Sequence, residues 1–536
     1  MKNVWFGLIF RTLFMKTGNQ FEFQIDLKLT KLSNSWSQIE IHSNEKYPDS
    51  DQSYYSGLIE GYLTEELITN HFNNKFEEYF KDEEEYESKL KNFVDLNIEF
   101  MTKEIKSCRE SDPYWHTVAL VLEQITGLQD GYDLKKFNRK PIGTRIQMKP
   151  LEKIFLLNLI PDLDVLEEVF QKKSFDRLLG EGSCSAIVRT VADGSDLLVA
   201  HNMWSTYHSM LRMIKKYDFK FHFTPNSVQK DNSLTAGHCM SFSSYPGTVL
   251  SLDDFYILSS GLVVQETTFE ILNNKDLWPS IKGAGQVLEF IRVLVANRLS
   301  NSGKEWTDIF SRYNSGTYNS QFMIIDYKLY HKGLTPDKLP AHLLWVCEQL
   351  PDLMVSRDMT QVLRRDHYWA SYNVPFFEEV YTSGGYPELR QRYGNYFSHD
   401  LCSRAQIFRR DHKNAIDLKS LMRLMRSNDY LNDPLSHYQN CRPNCSAELA
   451  IAARNDLNDP NGDYCIPVLG FRPRGAIDAT VSSTDLVQSL SMYAVSGPTH
   501  QSLPPFEWSK SKIVGIRHEG QPDKWQFDPI LIHWIL

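Results

Sequence analysis

No run of about eighteen apolar residues occurs anywhere in the 536-residue chain, so no helix able to span a bilayer is predicted. Basic residues are in the minority: 58 Lys and Arg stand against 67 Asp and Glu, for a formal net charge of −9. No overall basic surface is left to hold a phosphate backbone, which argues against a nucleic-acid partner. Cysteines number only eight, too few for a disulfide scaffold at this length. The G-x-S-x-G elbow of serine lipases is missing, and the stretch Lys282-Gly-Ala-Gly-Gln286 lacks the third glycine and the acidic partner of a dinucleotide site. No cofactor and no metal site is expected.

Hydrophobic residues make up 42% of the chain and charged ones 23%, the balance of a folded globular protein long enough for several cores or one large domain. The acidic run from Lys81 to Glu87 has the spacing of a solvated helix face. At the start, "MKNVWFGLIFRTLFM" resembles a weak secretory signal, interrupted by Arg11 and followed by no small-residue cleavage site. Cys441 and Cys445 in "CRPNCSAE" are close neighbours. Their spacing suits half a zinc site, but no second ligand pair follows, so a local disulfide around the Pro443 turn is expected, in an oxidising compartment. Cys108, Cys239, Cys347, Cys402 and Cys465 stand alone.

From Thr64 to Lys106 charged and apolar residues alternate at helical spacing without Gly or Pro, which predicts two or more long helices. Amphipathic segments over Asp112–Leu128 and Leu151–Phe170 complete a helix-rich first third. After Gly182 the period changes. "CSAIVRTV", the turn "ADGS" and "DLLVAHNMW" predict a β-hairpin about Asp193-Gly194, which sets Cys184 across from the stretch His201 to Trp204. A second hairpin is predicted around Ser259-Ser260-Gly261, and the rest of the chain mixes antiparallel strands with helices.

A cysteine is nucleophilic as thiolate, and a free thiol with a pKa of about 8.5 needs a base or a positive neighbour. The hairpin offers His201, although a Cys and a His at a strand start suit a packed core equally well. The peptide bond before Cys184 offers another route. If the sulfur attacks the Ser183 carbonyl and the resulting ester is hydrolysed, Cys184 becomes a new N-terminus. Its α-amine, with a pKa of roughly 7.7–8.0, can then serve as base for its own thiol.

The segments "GSCSAIV", "DLLVAHNMWSTYHSMLRMIKKYDF", "SYPGTVLSLDDFYILSSGLVVQETT", "RYNSGTYNSQFMIIDYKL", "SYNVPFFEEVY" and "RAQIFRRDH" resemble the signature segments of the phospholipase B-like proteins, a lysosomal and secreted family that includes the lamina ancestor protein. The likeness continues in "EGYLTEELI", "YWHTVALVLEQITGLQDGY", "AIAARNDLN" and "GQPDKWQF", and so spans nearly the whole chain. It implies an α+β fold of the N-terminal-nucleophile hydrolase type, an αββα sandwich of two antiparallel sheets between helical layers. It also implies cleavage between Ser183 and Cys184, giving a helix-rich chain over residues 1–183 that stays associated with a catalytic chain over 184–536 in one large domain. Residue by residue, Cys184 matches the nucleophile, and His201 and Trp204 of "HNMW" match pocket residues. Asn373 of "SYN" and Arg404 of "RAQIF" match catalytic polar groups, and Thr267 or Thr268 of "QETT" matches a threonine near the thiol. By residue type, Asn373 would present an amide N–H to a developing oxyanion, worth on the order of 3 kcal/mol. Arg404 would anchor the surroundings of the new amine, or a substrate phosphate or carboxylate. On sequence alone, Asn373 also suits a turn before Pro375, and Arg404 an ion pair with Asp411.

The implied activity is removal of fatty acyl groups from phospholipids or lysophospholipids, through thiolate attack and a thioester released by water. A lipid amidase is the closest alternative, and a non-enzymatic lipid- or protein-binding member of the same fold is the rival from another class. The expected partner is a lipid substrate, a homodimer is compatible with the reading, and the implied location is lysosomal or secreted. Members of this family are usually glycosylated, whereas Asn444-Cys445-Ser446 is the one sequon here and competes with the expected disulfide. Residues left in the pocket after cleavage would block the thiol, so trimming of the segment from Lys172 to Ser183 is expected to be needed for full activity.

Overall fold

The computed structural model describes residues 9–16, 22–31, 35–141, 143, 146, 148, 149, 151–174, 178–182, 184–225, 233–253, 255–271, 274–439 and 441–534. Ser183 therefore lies outside the described residues. In chain order the strands begin with β1 (Ile9–Lys16), β2 (Glu22–Lys31) and β3 (Trp36–His42). Helices α1 (Asp49–Leu63), α2 (Glu65–Phe76), α3 (Glu84–Cys108), α4 (Pro113–Phe137), α5 (Lys153–Asn158) and α6 (Ile160–Val169) follow. Next come β4 (Cys184–Thr190), β5 (Leu197–Thr206), β6 (Arg212–Asp218), β7 (Cys239–Ser244), β8 (Phe255–Leu258), β9 (Leu262–Thr268), β10 (Ser320–Asp326), β11 (Leu344–Leu350), β12 (Leu353–Asp358) and β13 (Tyr368–Ser371). The last part supplies β14 (Arg474–Ala476), β15 (Asp478–Ser482), β16 (Met492–Ser496), the short pair β17 (Phe506–Glu507) and β18 (Lys524–Trp525), and β19 (Ile530–Ile532).

Among the described residues these strands make a ten-stranded sheet, β1-β2-β3-β6-β7-β8-β9-β10-β11-β12, and a second one, β13-β4-β5-β15-β16-β19, with β14 paired to β5. The pairs are antiparallel except β3, which runs parallel to β6 across the inserted helices, so the first sheet is not purely antiparallel as expected. The apolar run read as a weak signal contributes β1 from Ile9 onward, paired with β2. The helix-rich first third thus also carries three strands.

Strand alternation divides the core in two. On β10, Phe322 and Ile324 pack with residues of α1 to α6, whereas Met323 and Ile325 face a second cluster that includes Ile187, Val188 and Leu198 to Ala200 of β4 and β5. The second sheet is in turn packed against the helices Ser403–Asp411 and Leu418–Met425, whose Ile407, Phe408, Leu421 and Met425 join the same cluster. The molecule is a mixed α and β structure in which sheets are covered by helices.

Four glycines fix the closest helix contact. A Cβ at Gly57 or Gly61 of α1 would lie 2.0 and 2.1 Å from the carbonyl oxygens of Gln124 and Leu128. At Gly127 and Gly131 of α4 it would lie 1.9 Å from those of Tyr54 and Leu58. Only residues without a side chain let two helix backbones approach this far. The amphipathic segment from Leu151 to Phe170 forms two helices, α5 and α6, that meet at Leu159, with Pro161 in the first turn of α6, where its missing N–H removes no intrahelical bond.

Candidate active site

β4 opens on Cys184 and folds back on β5 with the predicted register, Cys184 opposite Met203 and Ala186 opposite His201. Residues two apart share a strand face, so Cys184, Met203 and His201 point to the same side, toward β9 of the other sheet. The Cys184 Sγ lies 3.4 Å from Met203 Sδ, and His201 Nε2 donates to the Glu266 carbonyl at 3.0 Å. Cys184 is fully buried. Burial pushes its thiol well above the ordinary range, and the nearby Glu266, Asp253 and Asp478 carboxylates add to the effect. His201 is moved the other way, down to about 3 by burial. An imidazole that weakly basic stays neutral and is a poor proton acceptor for a thiol, which disfavours the Cys/His pairing and leaves His201 as a wall of the site.

Asn373 and Arg404 meet Cys184 through its main chain. The Cys184 N–H points at Asn373 Oδ1 at 3.5 Å, and its carbonyl accepts from Arg404 Nη1 at 2.5 Å. Asn373 has a left-handed backbone, φ 68°, in the turn after β13, so the turn expected before Pro375 and the site role coincide in one residue. Its side-chain amide donates to the Thr268 carbonyl at 2.5 Å, while its backbone N–H donates to Thr267 Oγ1 at 3.2 Å. Both threonines therefore act by holding Asn373, one through its hydroxyl and one through its carbonyl. One N–H of the Asn373 amide is thus engaged by the Thr268 carbonyl, and the amide oxygen faces the nitrogen of Cys184. Arg404 does not pair with Asp411, which takes Arg410 at 2.8 Å. Its guanidinium instead stacks 4.3 Å from the ring centre of Trp204.

Two supporting groups carried no motif signal of their own. Asn202, inside "HNMW", accepts the Ser185 N–H at 3.0 Å and the Trp204 indole N–H at 3.0 Å, and it donates to the carbonyls of Met425 and Ile451. Asp478 accepts the Met203 N–H at 2.8 Å and pairs with the buried Arg212 at 2.8 Å, which also pairs with Asp253. Together they fix the β5 backbone opposite the thiol. Asp478 lies far from Cys184 in sequence, which hides its part from local patterns, whereas Asn202 falls within the predicted hairpin.

The segment before Cys184 is strapped into the site. Gly180 O accepts from Tyr396 at 2.7 Å, and Gly182 O accepts from Arg474 Nη2 at 2.8 Å. The Glu181 carboxylate is held by Arg472 at 2.5 Å and Arg474 at 2.6 Å. Clefts open on both sides of this segment. One of ≈ 270 Å³ is lined by Glu181, Met203, Trp204, Thr268 and Arg474, and another of ≈ 210 Å³ by Leu178, Leu179, Thr268 and Trp278.

Donor atoms of Cys184, His201 and Glu266 lie within 4.8 Å of one another, close enough to share a metal ion. In this structure the glutamate accepts from Tyr318 at 3.0 Å and the imidazole is bound to a carbonyl, so these groups are engaged within the protein. At the other end of the chain, the sulfur set against Cys441 is that of Cys465, 3.1 Å away. The expected Cys441–Cys445 pairing is corrected to this contact. The Arg442 and Asp463 backbones bond to each other across the loop and draw Cys465, which had no signal as a partner, to Cys441.

The family model described as Phospholipase B matches residues 29–532. Phospholipase B-like 2 of Bos taurus, a protein named provisionally, is 45% identical over 511 residues, covering 93% of this chain and 83% of that protein. Its counterpart in Homo sapiens is 44% identical over 510 residues, with the same coverage. Phospholipase B-like 1 of Caenorhabditis elegans is 36% identical over 510 residues, covering 93% and 85%. A match that takes in Cys184, Asn373, Arg404 and every element around them, at this identity, means that the chain belongs to the phospholipase B family.

Proposed function

We propose that this chain is a hydrolase that removes fatty acyl groups from phospholipids or lysophospholipids with Cys184 as an N-terminal nucleophile, after cleavage of its own Ser183–Cys184 bond. The observation that carries the reading is the arrangement around the main chain of Cys184. Its nitrogen, the future α-amine, faces Asn373 Oδ1, and its carbonyl is gripped by Arg404. Partners on both sides of a cysteine's own peptide groups are what a nucleophile using its own amine as base requires. The sheets covered by helices and the inward-facing strand-end thiol support an αββα sandwich of N-terminal-nucleophile type. The core shared by α1 to α6 with β7, β9 and β10 supports two chains, 1–183 and 184–536, that stay together after cleavage.

In this mechanism Cys184 Sγ adds to the Ser183 carbonyl, the C–N bond breaks as the nitrogen takes a proton and becomes the α-amine, and water hydrolyses the thioester to leave the Ser183 carboxylate and free the thiol. That amine, of pKa roughly 7.7–8.0, accepts the thiol proton as the sulfur attacks a lipid acyl carbonyl. The resulting ammonium protonates the departing alcohol, leaving an acyl thioester. Water, deprotonated by the amine, releases the fatty acid and restores the thiol. His201 and Trp204 would wall the acyl site, and Asn373 would orient the amine. A lysosomal or secreted location fits the same reading.

The test is acyl release from a panel of lysophospholipid esters and their amide counterparts, with mass analysis of the Cys184-containing chain. The proposal expects an acyl adduct on Cys184 and no turnover in Cys184→Ala. Turnover that survives this substitution refutes it. A second reading, a binding protein that turns nothing over, has its own support in the burial of the thiol and its raised pKa in the uncut chain. Cleavage without any acyl release would favour it.

A further inference from the structure

The Glu181 carboxylate is an unusual tenant for the centre of a lipid-binding cleft. It is a charged group nine-tenths buried, it sits three residues before the proposed nucleophile, and it is gripped from two sides by Arg472 and Arg474. Two guanidinium groups converging on one carboxylate form the fork geometry that also binds phosphate. Arg472 Nη1 is buried with no hydrogen-bond partner among the described residues, so the pair holds donor capacity beyond what Glu181 uses. Arg404 belongs to the same charge cluster, since Glu448 interacts electrostatically with Arg472, Arg404 and Arg474 together.

The cleft contains a partial counterweight to these cations. Glu448 is buried beside the three arginines, and its Oε2 lacks a hydrogen-bond partner among the described residues. Burial pushes its carboxyl up to about 7 against the pull of the arginines. At mildly acid pH it is mostly protonated and leaves the cluster positive. Departure of the segment ending at Ser183 takes Glu181 with it and leaves two clustered arginines without their carboxylate, an expensive arrangement unless another anion replaces it.

We infer that Arg472 and Arg474 form the subsite for the phosphate group of the lipid substrate, and that Glu181 occupies this subsite as an internal stand-in until its segment leaves. The inference rests on the hydrolase reading above and adds where the headgroup lies. Three Cα–Cα steps separate Glu181 from Cys184, at most about 11 Å along the backbone. The ester carbonyl and the phosphate of a glycerophospholipid, separated by a few bonds, fit within that reach. The acyl chain would then run from Cys184 into the cleft lined by Met203, Trp204 and Thr268.

The test uses the full chain carrying Cys184→Ala, so that binding is read whether or not the protein turns anything over. Calorimetric titration with glycerophosphocholine, inorganic phosphate and glycerol is compared for Glu181 and for Glu181→Ala, which removes the carboxylate and vacates its place between the two guanidinium groups while the uncut segment stays. Neutralising Glu181 should tighten glycerophosphocholine binding about tenfold or more, with glycerol unaffected. Adding Arg474→Gln should abolish the gain. Arg472→Lys keeps the charge while removing the fork, and should lose part of the gain with an unchanged melting transition, which separates a binding defect from a folding one. Equal binding with and without the Glu181 charge overturns the inference, as does a gain that survives Arg474→Gln. Inorganic phosphate binding as tightly as the diester would make this a free-phosphate site and overturn the lipid assignment. If the subsite binds as expected but no lipid is hydrolysed by the cleaved protein, the hydrolase reading fails and the subsite stands.

Discussion

Gly182, two residues before the thiol, lies where two of the groups proposed to drive cleavage almost touch. A Cβ at this position would sit 2.8 Å from Arg404 Nη2 and 2.8 Å from Asn373 Oδ1. Non-bonded heavy atoms of this kind need about 3.5 Å, so in Gly182→Ala at least one partner must retreat by roughly half an ångström. If Arg404 moves, its 2.5 Å bond to the Cys184 carbonyl is lost; if Asn373 moves, it leaves the Cys184 nitrogen. A hydrogen bond from a charged donor contributes about 1.5–3 kcal/mol, so cleavage should slow by a factor on the order of 10 to 150. Gly182 itself belongs to neither apolar core, and the melting temperature should change little. The assay is the rate at which a fragment beginning at Cys184 appears on incubation of purified chain at mildly acid pH, read by mass spectrometry. Wild-type cleavage by Gly182→Ala would refute the claim that Arg404 and Asn373 hold the bond to be cut.

Other consequences concern stability and access. Gly127→Ala drives a methyl group into the Tyr54 carbonyl of α1, where backbone cannot step aside. The cost should be about 3 kcal/mol in urea unfolding, and an unchanged midpoint would contradict the glycine-mediated contact. Glu448 titrates in the fold at about 7, above the ordinary carboxyl value, so the folded chain keeps a proton that the unfolded chain releases. Its contribution to stability is full below the unfolded value near 4.5 and is lost as pH rises toward 7, a swing on the order of 3 kcal/mol. Glu448→Gln should remove this part of the pH dependence; parallel stability curves for the two proteins would exclude it. Excising the segment from Lys172 to Ser183 after cleavage should raise acyl turnover, because Leu178, Leu179 and Glu181 line the clefts beside the thiol. Equal turnover before and after excision would count against a blocking role.

Much of the candidate site could be read from local patterns. The Asp193-Gly194 turn fixes the register of β4 on β5, because a hairpin with a tight turn has one pairing that keeps both apolar faces inward, and Cys184 meets Met203 as that pairing requires. Helices α2 and α3 follow from helical spacing without Gly or Pro, whereas α4, expected to be amphipathic, is buried on every side from Tyr114 to Leu128. What escaped depends on distant partners. β3 alternates polar and apolar residues, but its parallel pairing with β6 spans about 170 residues of intervening chain, beyond any local signal. Cys465 has no cysteine nearby in sequence, so only the folded loop brings it to Cys441. The pairing of Glu181 with Arg472 and Arg474 joins residues on opposite sides of the proposed cleavage point, each an ordinary charge by itself. Asn373 was singled out through the family likeness, and the orientation of its amide toward Cys184, set by Thr267 and Thr268 across the sheet interface, has no counterpart in local sequence.

The most direct measurement is intact mass and N-terminal sequencing of the purified chain after incubation at mildly acid pH, beside Cys184→Ala. Self-processing predicts two pieces, of roughly one-third and two-thirds of the mass, the larger beginning at Cys184, with the substituted chain left whole. A wild-type chain that stays intact, or a Cys184→Ala chain cut at the same bond, would contradict the assignment of Cys184 as a self-released nucleophile.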